Sequence, residues 1–161
     1  MAKDFNIRFA KREDTPMILE FINELADYEK LLDEVIADEE TLENSLFDRE
    51  MAEVIFAEYK GEEVGFALFF HNFSTFLGKP GIYLEDLYVK PEYRGKGFGK
   101  KLLSFLADLT VKRDCGRLEW WVLDWNKSSI DFYESLGAKA MDEWTVYRLT
   151  GESLKNLAAE I

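Results

Sequence analysis

Arg94-Gly95-Lys96-Gly97-Phe98-Gly99 sets three glycines on alternate positions among basic residues, and Lys100 and Lys101 follow directly. Glycines let successive backbone N–H groups approach a ligand and turn toward it. Where such a run opens a helix, the unsatisfied amides of the first turn add positive potential. With lysine and arginine reinforcing that field, phosphate or pyrophosphate is the natural guest. Two familiar phosphate motifs fail on detail. A P-loop needs a hydroxyl residue after Gly-Lys to hold Mg²⁺, but Gly99-Lys100 is followed by Lys101. A dinucleotide fingerprint needs Gly-x-Gly-x-x-Gly, whereas the spacing here is Gly95-x-Gly97-x-Gly99. Glu119 lies where a ribose-binding acid would fall in that motif, which the glycine spacing makes a coincidence.

The remaining inventory narrows the chemistry. His71 is the only histidine, so a multi-histidine zinc site is excluded and a Ser-His-Asp triad would depend on that one ring. It closes the apolar run Val64 to Phe70 and reads as a partly exposed strand-end residue. Cys115 is the only cysteine; it excludes an intrachain disulfide, fits a reducing compartment and reads as a small buried residue. Acid–base chemistry must therefore rest mainly on carboxylates, tyrosine or lysine. The net charge of −12 argues against nucleic acid or an anionic membrane as partner. The charge is polarised: residues 13 to 53 sum to −13, while residues 90 to 101, around the glycines, sum to +4. No apolar run approaches the ~20 residues of a membrane span, and the N-terminus lacks the apolar stretch of a secretion signal.

These residues need a scaffold, and 161 residues at 47% hydrophobic suffice for one globular domain with a real core. Phe5, Ile7 and Phe9 alternate as a first strand would. Asp14 is placed to cap a helix with Pro16 in its first turn, and Met17, Ile18, Phe21, Ile22, Leu25 and Tyr28 recur at helical spacing. A second, acidic helix is expected over about 38–47. Val54 to Tyr59 and Val64 to Phe70 read as a hairpin turning at Gly61, and Ile82 to Val89 as a further strand ending at Lys90-Pro91. Leu102, Leu103, Leu106 and Leu109 mark a helix after the glycines. Leu118 to Leu123 reads as a strand buried on both faces, Ser128 to Leu136 as a helix and Trp144 to Leu149 as a last strand before a short helix. The order predicts a single α/β domain over residues 1–161.

The blocks Glu24-Leu25-Ala26-Asp27-Tyr28-Glu29, Tyr83-Leu84-Glu85-Asp86-Leu87-Tyr88-Val89, Pro91-Glu92-Tyr93-Arg94-Gly95, Val122-Leu123-Asp124-Trp125-Asn126 and Phe132-Tyr133 with Leu136-Gly137-Ala138 stand in this order. Together with Arg94-x-x-Gly97-x-Gly99, they resemble the Gcn5-related N-acetyltransferases over nearly the whole chain. More closely, they resemble the spermidine/spermine (diamine) branch that includes the thialysine acetyltransferases. The resemblance implies a mixed central sheet of about six to seven strands flanked by helices, and acetyl-CoA as acetyl donor. It implies that Arg94, Gly95, Lys96, Gly97, Phe98, Gly99 and Lys100 hold its pyrophosphate. Leu87, Tyr88 and Val89 would offer strand amides to it, and Asn126, Lys127, Ser128 and Ser129 would contact it further on.

The same resemblance makes Glu85 the residue that binds the amine and takes its proton through water, and Tyr133 the acid at the departing thiolate. Asp86 is expected on the opposite face of the strand from Glu85, because side chains alternate. Tyr28, Glu29, Glu85, Glu119, Trp120 and Trp121 fall at substrate-side positions of the branch, where acids and aromatic faces suit a cationic amine. Polyamine enzymes carry an acidic-Pro-Trp run where this chain has Ser74-Thr75-Phe76, so a lysine-like diamine such as thialysine competes with spermidine. Relatives imply a homodimer, and a cytoplasmic location is expected. Two other readings stand against the enzyme: a non-catalytic domain that binds acetyl-CoA as a sensor or docking module, and a dinucleotide-binding oxidoreductase, which the glycine spacing disfavours.

Overall fold

A computed structural model describes residues 4–161. The chain divides into two compact units, the first ending at Leu123 and the second spanning Asp124–Ile161. The first unit is built on five strands: β1 (Phe5–Phe9), β2 (Glu53–Tyr59), β3 (Glu62–Ser74), β4 (Lys79–Val89) and β5 (Leu118–Trp120). They form one sheet in the order β1-β2-β3-β4-β5. The first four run antiparallel in sequence, and β5 joins β4 in parallel. The β2–β3 turn uses Gly61 at φ +80°, a backbone conformation in which glycine escapes the Cβ clash.

Helix α1 (Thr15–Tyr28) and the short α2 (Glu39–Glu43) separate β1 from β2, and α3 (Phe98–Lys112) leads from the glycine run toward β5. Periodic apolar residues decide which face each helix covers. Ile18, Phe21 and Leu25 of α1 cluster with Val54, Phe56, Phe66 and Tyr88 of the sheet. Phe21 sits at the centre, 5.2 Å from the Phe66 ring and 5.9 Å from that of Phe56. On α3, Phe98 stacks on Phe5 at 5.3 Å and Phe105 meets Phe9 at 5.9 Å. Leu102, Leu103 and Leu106 complete its buried stripe. A fully buried phenylalanine contributes about 1.5–3 kcal/mol relative to exposure, so these rings hold the layers together. Asp38 caps α2, its side chain accepting from the Thr41 amide.

Asp14 does not cap α1 by its side chain. Instead it accepts from the Lys11 amide at 2.7 Å and from Arg8 at 2.8 Å. Arg8 also pairs with Glu58 and Glu63 and lies over the Phe56 ring, which ties the edge strand to the hairpin.

The sheet has fewer strands than the resemblance implies. Residues 144–149 form no strand among the described residues, and Trp144 and Tyr147 are exposed. Of the apolar run after Arg117, only Leu118–Trp120 pairs, and it is half-buried rather than enclosed, because β5 is the last strand of the sheet. The second unit carries α4 (Lys127–Ser135) and α5 (Gly151–Ala158). Among the described residues no helix is long and apolar enough to cross a membrane.

Candidate active site

Strand β4 is the axis of the site. Its pairing with β3 runs Gly65↔Val89, Phe66↔Tyr88, Ala67↔Leu87 and Leu68↔Asp86, then jumps to Phe69↔Leu84. Glu85 is therefore the extra residue of a β-bulge, a feature that bends a strand and redirects its side chains. On its other edge β4 pairs with β5 only through Ile82, Tyr83 and Leu84. Past the bulge, from Glu85 to Val89, β4 has no β5 residue opposite it in that ladder. An edge of unpaired strand amides and carbonyls is a template for an extended ligand.

At the bulge Glu85 is exposed and Asp86 half-buried. Burial pushes the Asp86 carboxyl up to about 7, and the charges of Glu85 and Glu29 add to it. Glu29, just past the end of α1, is itself raised by burial and by Glu85. Tyr83 is held well above the usual phenol range by burial, with Glu85 and Glu119 adding to the effect. The Glu85 charge thus acts on both Glu29 and Asp86, adding to the burial that favours their protonated forms. The rim is aromatic: Tyr83 meets Trp121 edge to face at 5.8 Å and Phe70 at 5.1 Å. Glu119 accepts from Asn72 Nδ2 at 3.1 Å and faces Arg117, so part of its charge is already engaged. Trp120 lies in β5 and is half-buried, while Trp121 is exposed.

At the far end of β4 the chain passes through one 3-10 turn, Pro91–Tyr93, into the glycine run. Gly95 and Gly97 adopt φ +77° and +84°, and a Cβ built on either would meet nothing within 4 Å. The backbone there is open to a ligand and left-handed, which is why glycine serves. Gly97 is the N-cap of α3, and the first intrahelical bond runs from Lys101 N–H to its carbonyl. The amides just ahead of Lys101 lie in the first helical turn, where no intrahelical acceptor exists, and they carry the positive end of the helix dipole. Phe98 contributes backbone alone, since its ring is buried against Phe5 and Tyr59. Arg94 donates from Nε to the Val89 carbonyl at 2.9 Å, and its guanidinium lies 4.8 Å from the Tyr28 ring and 5.2 Å from that of Tyr88. Lys96 lies over Tyr93, whose hydroxyl donates to Glu62 at 2.8 Å. An open cradle of amides flanked by cations, next to an unpaired strand edge, fits a diphosphate with an extended arm.

In the second unit Asn126 caps α4, its Oδ1 accepting from the Ser129 amide and the Ser128 hydroxyl, each at 3.4 Å. Lys127 pairs with Asp131 one turn on, and the Phe132 and Tyr133 rings stand 5.6 Å apart. Tyr133 accepts through its carbonyl from the Ala138 amide at 3.2 Å, which closes the helix end at Gly137. The structure thus gathers Glu29, Glu85 and Asp86 into one cluster and Arg94 to Lys100 into one cradle. Asn126 to Tyr133 are gathered on one helix. Asp86 is the residue of the acidic cluster that sequence reasoning did not single out, and no glycine or proline marks the bulge beside it.

Comparison with known proteins agrees with this geometry. Residues 18–138 match the Acetyltransferase (GNAT) family. The chain is 42% identical to a thialysine N-epsilon-acetyltransferase of Sus scrofa, over 96% of this chain and 97% of that one. It is 50% identical to an L-ornithine N5-acetyltransferase of Arabidopsis thaliana over a shorter stretch, 56% of this chain and 40% of the other. Among solved structures, an integron cassette protein of V. cholerae superposes with a TM-score of 0.80 at 29% identity, over 96% of this chain and 98% of that one. The chain belongs to the acetyltransferase (GNAT) family and is an acetyl-CoA-dependent N-acetyltransferase.

Proposed function

We propose that this enzyme acetylates the terminal primary amine of a small cationic molecule, a diamine, polyamine or lysine-like amino acid, by direct attack in a ternary complex. The observation that carries the reading is the bulge at Glu85: it lies where β4 leaves β5, within the acidic cluster and on the strand that leads to the glycine cradle. The printed names of the relatives, thialysine and L-ornithine acetyltransferases, favour an amine at the end of an amino-acid side chain.

Acetyl-CoA supplies an activated acetyl thioester. Arg94, Lys96, Lys100 and the amides of Gly95, Gly97, Phe98 and Gly99 would hold its diphosphate, with the edge of Leu87, Tyr88 and Val89 along its arm and Asn126, Lys127, Ser128 and Ser129 further on. An alkylamine titrates near ~10.4 and must lose a proton before it can attack. Glu29 and the pair Glu85–Asp86 attract the cationic form. Glu85 then takes the proton, directly or through water, beside an Asp86 carboxyl poised near neutrality. Glu119, Trp120 and Trp121 line the amine side in this reading, with ring faces suited to a cation. The Tyr133 hydroxyl donates to the sulfur as it departs.

A homodimer in the cytoplasm completes the proposal. Size-exclusion chromatography with light scattering reads the mass directly. The decisive assay is thiol release from acetyl-CoA with a panel of thialysine, lysine, ornithine, putrescine and spermidine. Amine-dependent release with at least one of them is expected. CoA binding without release for any amine would instead support a sensor or docking domain.

A further inference from the structure

We propose that Tyr28, which the family resemblance assigns to the amine side, is a positioning residue for the cofactor arginine. This rests on the reading of Arg94 as a diphosphate ligand. Arginine presents a planar fork to a diphosphate, but its long side chain must be held in one orientation for that fork to be ready.

Three groups hold it here. The Val89 carbonyl takes the Nε–H at 2.9 Å. The Tyr88 ring, 5.2 Å from the guanidinium carbon, is buried in the core and meets Phe21 at 6.3 Å. Both of these belong to β4, the strand from which the arginine itself emerges. Tyr28 is the third, at 4.8 Å, and it comes from a separate element as the last residue of α1. A contact from a second element restricts the swing that β4 alone would allow. The Nε–H is one of five donors, and the fork of the two Nη groups carries the others. Tyr28 therefore serves the diphosphate through Arg94, while its neighbour Glu29 serves the amine cluster.

The test is calorimetric binding of CoA to Tyr28→Leu, Tyr28→Phe, Arg94→Ala and the double variant Tyr28→Leu/Arg94→Ala, with amine KM measured in parallel. Tyr28→Leu is expected to weaken CoA about two- to fivefold, the range of a partly exposed cation–π contact. Tyr28→Phe should bind like the unaltered protein. The double variant should bind no more weakly than Arg94→Ala alone, and amine KM should hold in Tyr28→Leu. Pantetheine, which lacks the diphosphate, should bind Tyr28→Leu and the unaltered protein alike, a readout that general loosening of α1 would not spare. Should Tyr28→Leu fail to fold, Tyr28→Gln removes the ring with a polar side chain suited to this exposed position and is read the same way. A raised amine KM with CoA affinity intact, or additive losses in the double variant, overturns the inference. No CoA binding by the unaltered protein overturns the acetyltransferase reading beneath it as well.

Discussion

Asp86 stands opposite Leu68 in the β3–β4 ladder, although the next pair along is Phe69 with Leu84. That one-residue slip leaves Glu85 unopposed beside Asp86. The consequence is electrostatic: Asp86 is raised first by burial and then by Glu85 and Glu29.

The raised Asp86 makes stability and activity move in opposite directions. Its carboxyl goes from an ordinary 3.8 to about 7 in the folded protein. Below about pH 4 both states are protonated and the site costs nothing; as pH rises toward 7 the unfolded chain ionises first and folding stability falls. Asp86→Asn is therefore expected to gain on the order of 1–2 kcal/mol at pH 8 after allowance for solvent screening, and nothing at about pH 3. Thermal melts at the two pH values check this. In the same variant kcat/KM should fall, because a group that attracts the cation is gone. An acid limb near pH 7 is expected in the unaltered enzyme from Asp86 and should flatten in the variant.

Glu85→Gln keeps shape and hydrogen bonding but removes the charge and the proton acceptor. Loss of a general base costs about 10²–10⁴-fold in rate. We expect kcat/KM for the amine to drop within that range, while CoA affinity stays unchanged in calorimetry. A rise in KM alone would assign Glu85 to binding rather than proton transfer.

Much of the scaffold was legible because its signals are local. The alternation of Phe5, Ile7 and Phe9, the helical spacing from Met17 to Tyr28 and the turn at Gly61 each dictate an element without distant partners. The glycine run was legible for the same reason, since a left-handed backbone at Gly95 and Gly97 demands that residue. The bulge was not, because it is a property of two strands in register and Leu84-Glu85-Asp86 carries no mark of it. Residues 144–149 failed in the other direction. They have the composition of a strand, but a strand exists only when paired, and no described residue pairs with them. Tyr133 came from the resemblance alone, as nothing in its spacing separates it from helix-face packing.

Gly65 tests the close approach of β3 to Tyr88 and Val89 of β4. A Cβ there would stand 2.8 Å from the Tyr88 carbonyl oxygen and 3.2 Å from Val89 Cγ2. Backbone cannot yield as a flexible side chain would, so Gly65→Ala must push the strands apart where β4 leads into the glycine cradle. Overpacking of this kind costs about 1–3 kcal/mol. Urea denaturation should show a lowered midpoint, and CoA binding should weaken in the protein that remains folded.

Tyr133→Phe tests the proposed role of its hydroxyl at the departing sulfur. A phenol near pKa ~10 giving its proton to a thiolate near ~8.5 is uphill by about 2 kcal/mol, so full transfer is not assumed and a hydrogen bond at the sulfur suffices. Removing one donor aimed at developing charge slows catalysis by roughly 10²–10³-fold. We therefore expect kcat to fall toward that range with amine KM and CoA affinity nearly unchanged, measured by steady-state thiol release and calorimetry. A thioester donor whose thiol is more acidic leaves without help, so with such a donor the variant should regain much of its rate. An equal deficit with both donors would mean that the ring packs α4 and takes no part in the transfer.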